Sequence, residues 1–254
     1  MSGVTPEQRF QFDLEGYLVV PGVLDRREVA RLNELADEVM SGEPDEGGLR
    51  STGRVSQWGP DFRDLIDHPR ILPYLVEWLG PKFRIDHDYC IFMRTGTSRG
   101  SLHGGPSPQS SEGDHWYRFY TDGTIRNGLT VFTYNLSDCN PGDGGFACIP
   151  GSHKTNLRSS VPREVMRFER PAHYVRQPPA KAGVVLIFTE ALIHGTLPWT
   201  ASHERRALLY KYSPGHSSWS DTYYDPADYP DATEQQIRIM APPSVGRRPD
   251  SVQA

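Results

Sequence analysis

Cysteine is scarce in this chain of 254 residues. The three present, Cys90, Cys139 and Cys148, are an odd number and lack the C-x-x-C spacing of thiolate metal sites, so they read as reduced thiols in a cytoplasmic protein. Long apolar runs are missing as well. The longest, 183-GVVLIFTEALI-193, is interrupted by Glu190 and is far too short to cross a bilayer, so no membrane association is expected. The opening MSGVTPEQRF has neither a basic nor an apolar signal region, and nothing in it suggests export. Positive charge is not in excess: 27 Lys and Arg stand against 32 Asp and Glu, a net of -5. That excludes a broad basic surface for a nucleic-acid polymer and leaves room only for a local pocket that could take one phosphate. No internal repeat or low-complexity tract is present.

Turn formers are abundant. With 24 Gly, 22 Pro, 37% hydrophobic and 11% aromatic residues, the composition favours β structure with long loops over a helical bundle, and the length suits a single domain, 1–254. A short strand is expected at 17-YLVV-20. A helix follows over DRREVARLNELADEVM, with Val29, Leu32, Leu35, Ala36, Val39 and Met40 at helical spacing and Asp25 as its cap. A second helix is expected near 69-PRILPYLVEWLG-80, with Pro69 in its first turn and Gly80 as its stop. Both read as outer packing.

From Phe83 the pattern turns to short β-prone runs: FRIDHDYCIFM, GLTVFTYNL, GFACIP, YVRQ, GVVLIF, LIHGTL and RALLYKY. Strands in succession without helices between them indicate an antiparallel sandwich, barrel or jelly roll. The clearest hairpin signal is 140-NPGDGG-145. The stretches 94–128 and 151–173 are long enough to be lids, a short helix is expected at ATEQQIRIM, and the tail from about 241 to 254 reads as flexible.

Three side chains stand out in the β region: His103 in SLHGG, His194 in LIHGT, and Arg205 in HERRAL, 11 residues after His194. Neutral imidazoles are good ligands for Fe(II), and a two-histidine site leaves open positions for oxygen and a co-substrate. The planar fork of Arg205 can pair with the distal carboxylate of a keto acid chelating that iron. His194 is expected at a strand end and Arg205 at the start of the next strand, so that a hairpin brings both to one end of a barrel.

Around these residues the chain resembles the phytanoyl-CoA dioxygenase family of Fe(II)/2-oxoglutarate oxygenases. The resemblance runs from GYLVVPGVL through DHDYCIFM and NPGDGGFACIPGSHKTN to IHGTLPWTASHERRALLYKY. It implies a mainly β double-stranded β-helix, or jelly roll, with flanking N-terminal helices and with Fe(II), 2-oxoglutarate and O2 at its open end. By resemblance, His103 and His194 are metal ligands, Arg205 binds the 2-oxoglutarate carboxylate, and Thr196 and Tyr134 make further co-substrate contacts.

The first metal position departs from that family. Its members read H-x-D or H-x-E, whereas this chain reads His103-Gly104-Gly105. Glycine removes a negative charge and leaves a coordination position that chloride fits, which is the signature of the Fe(II)/2-oxoglutarate halogenases. The resemblance then implies that chloride binds where Gly105 stands and that an unactivated sp3 carbon is chlorinated as 2-oxoglutarate is decarboxylated to succinate. Two alternatives stay open. One is a hydroxylase in which Gly105 only makes a turn and the carboxylate comes from Glu112, Asp114, Asp86 or Asp88; the other is a catalytically silent jelly roll that binds a small molecule or a partner.

The loop between the strands suggests the substrate. Arg94, Arg99, Arg118 and Arg126 could hold an anionic group, and Trp116, Tyr117, Phe119 and Tyr120 could close over a ring, with His115 lining the pocket. A solvated loop and ordinary core packing explain the same residues. Since a few halogenases resembling this chain act on free nucleotides, the expected partner is a small anionic molecule such as deoxyadenosine monophosphate, bound by a monomer or homodimer.

Overall fold

Thr5 and Asp25 begin the first two helices in the same way. Each side chain accepts from the backbone N–H three residues on, and Gln8 and Glu28 return the bond to the cap residue's own N–H. Such a box contributes about 1 kcal/mol to a helix start. The computed structural model describes residues 3–41, 47–105, 115–246 and 248–252. In order, the elements are α1 (Pro6–Glu15), β1 (Tyr17–Val20), α2 (Arg26–Val39), β2 (Leu49–Arg50), α3 (Pro60–Arg63), α4 (Leu72–Leu79), β3 (Arg84–Met93), β4 (Arg99–His103), β5 (Tyr117–Phe119) and β6 (Ile125–Asn127). There follow β7 (Thr130–Asn135), β8 (Gly145–Cys148), α5 (Arg163–Met166), β9 (Val185–Thr189), β10 (His194–Leu197), β11 (Arg205–Ser213) and α6 (Glu234–Met240).

The strands form a jelly roll of two facing antiparallel sheets. The larger has the order β1-β9-β7-β11-β3-β2 and the smaller β4-β10-β8, while β5 and β6 pair with each other as a separate ribbon. Alternate residues of the large sheet go to two different cores. Outward, Cys90, Phe92, Phe132, Tyr134, Val185, Ile187, Leu208, Tyr210 and Tyr212 pack with residues of α1, α2, α4 and α6, among them Phe12, Leu32, Leu75, Trp78 and Ile239. Phe12 stacks on Trp78 with ring centroids 4.1 Å apart, joining α1 to α4. Inward, Ile91, Met93, Val131, Leu186, Phe188, Ala207 and Leu209 meet Phe146, Cys148 and Trp199 from the facing layer.

Several expectations hold: β1, α2 with its Asp25 cap, α4 ended by Gly80, and α6 are all present. Others need correction. The first turn of α4 holds Pro73 rather than Pro69, because the helix begins at Leu72. Helix α1 carries only one buried residue, Phe12, so hydropathy spacing does not announce it. The segment YVRQ makes one isolated bridge, Arg176 to Cys148, and no strand. The NPGDGG turn does not close a hairpin: it leads from β7 in the large sheet to β8 in the small one. The tail is docked, since Arg248 donates to the carbonyls of Ala241, Pro242 and Arg238 and the Ser251 N–H donates to Pro81. No helix among the described residues is long and apolar enough to cross a membrane.

Candidate active site

His103 ends β4 and His194 begins β10, and the two are direct cross-strand partners in the small sheet. Their side chains therefore leave the same face, with ring centroids 4.4 Å apart. Each Nδ1 is 2.8–2.9 Å from the carbonyl two residues earlier, Ser101 for His103 and Leu192 for His194. A carbonyl can only accept, so in both rings Nδ1 carries the hydrogen and Nε2 presents a lone pair. That tautomer leaves each Nε2 able to ligate a metal. Burial, opposed by Glu190 and reinforced by His103, lowers the His194 pKa to about 4 and keeps that imidazole neutral.

His194 and Arg205 do not share a hairpin. β10 belongs to the small sheet and β11 to the large one, so the pair converges because the two sheets face each other. Between them lies a cavity of about 410 Å³ whose wall includes His103, His194, Thr196, Arg205, Thr133 and Phe146. Arg205 is buried, and its Nη1 lies 3.7 Å from the Met93 sulfur. Thr133 Oγ1 is buried and has no hydrogen-bond partner among the described residues. A cationic fork and an unsatisfied hydroxyl in one pocket suit the carboxylate of a keto acid, and the histidine pair suits a divalent iron. These residues thus fit both Fe(II) and 2-oxoglutarate, although among the described residues no three His, Cys, Asp or Glu side chains already enclose a metal position.

Tyr134 is not brought to the site. Its side chain points to the opposite face of β7, fully buried, where its hydroxyl donates to the Leu65 carbonyl at 2.8 Å. Thr133, one residue earlier, takes the inward position. Gly105 follows the His103 strand in a left-handed turn: its φ is +78°, its N–H donates to the Glu190 carbonyl, and a Cβ there would meet Ile193 Cγ1 at 2.8 Å and Arg158 Cδ at 3.3 Å. The carboxylates considered on β3 are committed to other partners. Asp86 accepts from Arg84, Ser213, Ser218 and the backbone of Trp219 and Ser220, while Asp88 accepts from Ser56 and Tyr224. Glu112 and Asp114 lie outside the described residues, as does the side chain of Arg99.

Of the loop residues, His115 stands beside the site, with Nε2 3.7 Å from Glu190 Oε2. Trp116 faces a different cavity of about 480 Å³, shared with Tyr120, Lys82, Arg126 and Arg248. Arg118 is exposed and lies over the Trp116 ring, 5.0 Å from its centroid, and Arg94 is exposed as well. The described residues therefore form no arginine clamp at the histidine pair.

Glu190 and Lys211 are the residues that sequence reasoning missed. Glu190 is buried and accepts from Lys211 Nζ at 2.6 Å through Oε1, while its Oε2 is 3.7 Å from His194 Nε2. Burial alone would raise the carboxyl, but Lys211 and His194 outweigh it and hold Glu190 well below the usual carboxylate range. Burial would likewise lower Lys211, and Glu190 raises it instead. The strand pattern carried the signal: Leu186 and Phe188 face inward, so Glu190 two residues on does too.

The family model for phytanoyl-CoA dioxygenase (PhyH) matches residues 12–207. No curated protein matches the chain by sequence. Among solved structures, HygX from Streptomyces hygroscopicus with nickel and 2-oxoglutarate bound is similar at 25% identity and a TM-score of 0.76, over 85% of this chain and 89% of that one. HygX with nickel, 2-oxoglutarate and hygromycin B bound gives 26% identity and a TM-score of 0.73, over 84% and 89%. The α-ketoglutarate-dependent carbocyclase SnoK from nogalamycin biosynthesis shares the fold at 18% identity and a TM-score of 0.64, over 84% of this chain and 85% of that one.

Proposed function

The chain belongs to the phytanoyl-CoA dioxygenase family of Fe(II)/2-oxoglutarate-dependent oxygenases, and from that premise we propose that it hydroxylates an unactivated sp3 carbon of a small polar molecule. The observation that carries this reading is the convergence of His103, His194, Arg205 and Thr133 on one cavity. Bound iron and 2-oxoglutarate supply the oxidising chemistry there. The protein's own part is to present two neutral Nε2 donors, to anchor a keto-acid carboxylate on Arg205 with help from Thr133 and Thr196, and to keep water from a pocket lined on one side by Phe146 and Phe188. HygX, with hygromycin B bound, is a related protein that accommodates a small polar molecule, and a ligand of that general kind is proposed here.

Chlorination is the second reading, and Gly105 favours it because no acid group stands at that position. Against it, the Gly105 φ of +78° is a left-handed turn conformation that favours glycine whatever binds nearby. One experiment tests both. Anaerobic addition of Fe(II) and 2-oxoglutarate should give a visible charge-transfer band, and with O2 and substrate candidates succinate should form alongside a product 16 mass units heavier, with or without chloride. A chlorine isotope pattern that moves to bromine's on exchange would establish halogenation instead. No band and no succinate would dispose of the oxygenase reading.

A further inference from the structure

We propose that Glu190 supplies the carboxylate ligand missing at Gly105, approaching His194 from the end of β9, four residues before it, and closing on the ion only when metal is bound. The inference rests on the oxygenase reading above and assigns the third protein ligand of that same site.

The first support is an unfavourable contact. Because His194 Nδ1 donates to the Leu192 carbonyl, its Nε2 presents a lone pair, and the atom opposite it at 3.7 Å is Glu190 Oε2, a second acceptor. His115 Nε2 stands at the same 3.7 Å from that oxygen. Two acceptors that face each other in a buried place, as His194 Nε2 and Glu190 Oε2 do, repel one another unless a cation or a proton joins them. Imidazole nitrogen and carboxylate oxygen each bind a divalent first-row ion at roughly 2.0–2.2 Å, so one ion can span a donor gap of this size.

The second support is the division of labour within the carboxylate. Oε1 is taken by Lys211 Nζ at 2.6 Å, which fixes the group and offsets part of its burial cost, while Oε2 is left turned toward the imidazoles. The third is the direction of the empty family position. The Gly105 N–H donates to the Glu190 carbonyl at 3.0 Å, and its left-handed backbone aims the absent side chain at Ile193 and Arg158. The acid group has moved from the strand that carries His103 to the one that leads into His194.

The test is anaerobic titration of the full-length protein with Co(II), followed by calorimetry and by the visible Co(II) spectrum, in wild type, E190Q and the charge-balanced double variant E190Q/K211M. The double variant removes the buried lysine together with its partner, so a folding defect from an unpaired Lys211 does not obscure the result. The wild type should bind one Co(II), and both variants should lose more than about 100-fold in affinity, beyond the 10- to 100-fold typical of an outer-shell partner, with an altered spectrum. Adding G105D to E190Q should not restore binding. Affinity retained within a few-fold in both variants, or rescue by G105D, overturns the assignment while leaving the oxygenase reading intact. If the wild type itself binds no Co(II), the oxygenase reading fails first.

Discussion

The two faces of the six-stranded sheet are made from alternate residues of the same strands, yet the tyrosines of one and the threonine and glutamate of the other meet their surroundings differently. On the outer face, Tyr134, Tyr210 and Tyr212 each donate a hydroxyl to a backbone carbonyl, those of Leu65, Phe62 and Ile66 respectively, and so staple α3 and the segment after it to the sheet. On the inner face, Thr133 Oγ1 has no partner among the described residues and Glu190 Oε2 faces imidazole nitrogen. Polar atoms that complete a core find partners within it. Those without one beside a cavity are available to whatever enters it. A shift of one residue along β7, from Thr133 to Tyr134, separates the two roles.

The largest break of this contrast comes from the histidines. H103A or H194A should lower succinate formation by on the order of 10³-fold or more, because a site left with a single imidazole loses its metal. The check is succinate released per enzyme with saturating Fe(II). Residual turnover within tenfold of wild type in either variant would remove the pair from the site. Next in size is Arg205. R205Q should raise KM for 2-oxoglutarate roughly 30- to 100-fold, the equivalent of about 2–3 kcal/mol of charge-assisted hydrogen bonding. Metal affinity should hardly change, and a KM that stays put would place the keto acid elsewhere.

The outer face should respond to substitution in the other currency. Y134F leaves the Leu65 carbonyl buried and unpaired, so thermal or urea unfolding should show a loss of about 1–3 kcal/mol. KM for 2-oxoglutarate should be unchanged, since the ring lies across the sheet from the cavity. A raised KM with unaltered stability would return Tyr134 to the co-substrate role that the family resemblance implies.

Much of this was legible before any coordinates. His103, His194 and Arg205 sit in short motifs whose chemistry is independent of exact register, and the structure brings all three to one cavity. Where register mattered, the sequence said less. Tyr134 and Thr133 are equally polar neighbours on a strand buried on both faces, so burial alone could not choose between them. The turn NPGDGG signals a reversal, but whether it returns within a sheet or crosses to the facing one depends on partners more than forty residues away, in β9 and β10. Glu190 was visible only as an interruption of an apolar run. Its meaning needed the parity of β9 and the position of Lys211 on another strand.

The smallest effect separates two buried carboxylates, one on each side of the sheet. Glu190 on the inner face is held below the carboxylate range by Lys211 despite its burial. Asp88 on the outer face is also buried, but among the described residues no cation contacts it as Lys211 contacts Glu190: it accepts from Ser56 and Tyr224, with Arg54 further off, and burial wins and raises its pKa above the ordinary 3.8. The folded state therefore keeps a proton at Asp88 at pH values where the unfolded chain has released it. Where the native state binds more protons, stability falls as pH rises, so Asp88 should weaken the fold progressively above about pH 4 until its own raised pKa is passed. D88N lacks that proton. Its unfolding free energy relative to wild type should increase between pH 4 and pH 7, measured by urea denaturation of the metal-free protein, with a slope of at most one proton. If the two stability curves run parallel across that range, Asp88 ionises normally, and the difference between the faces is confined to hydrogen bonding.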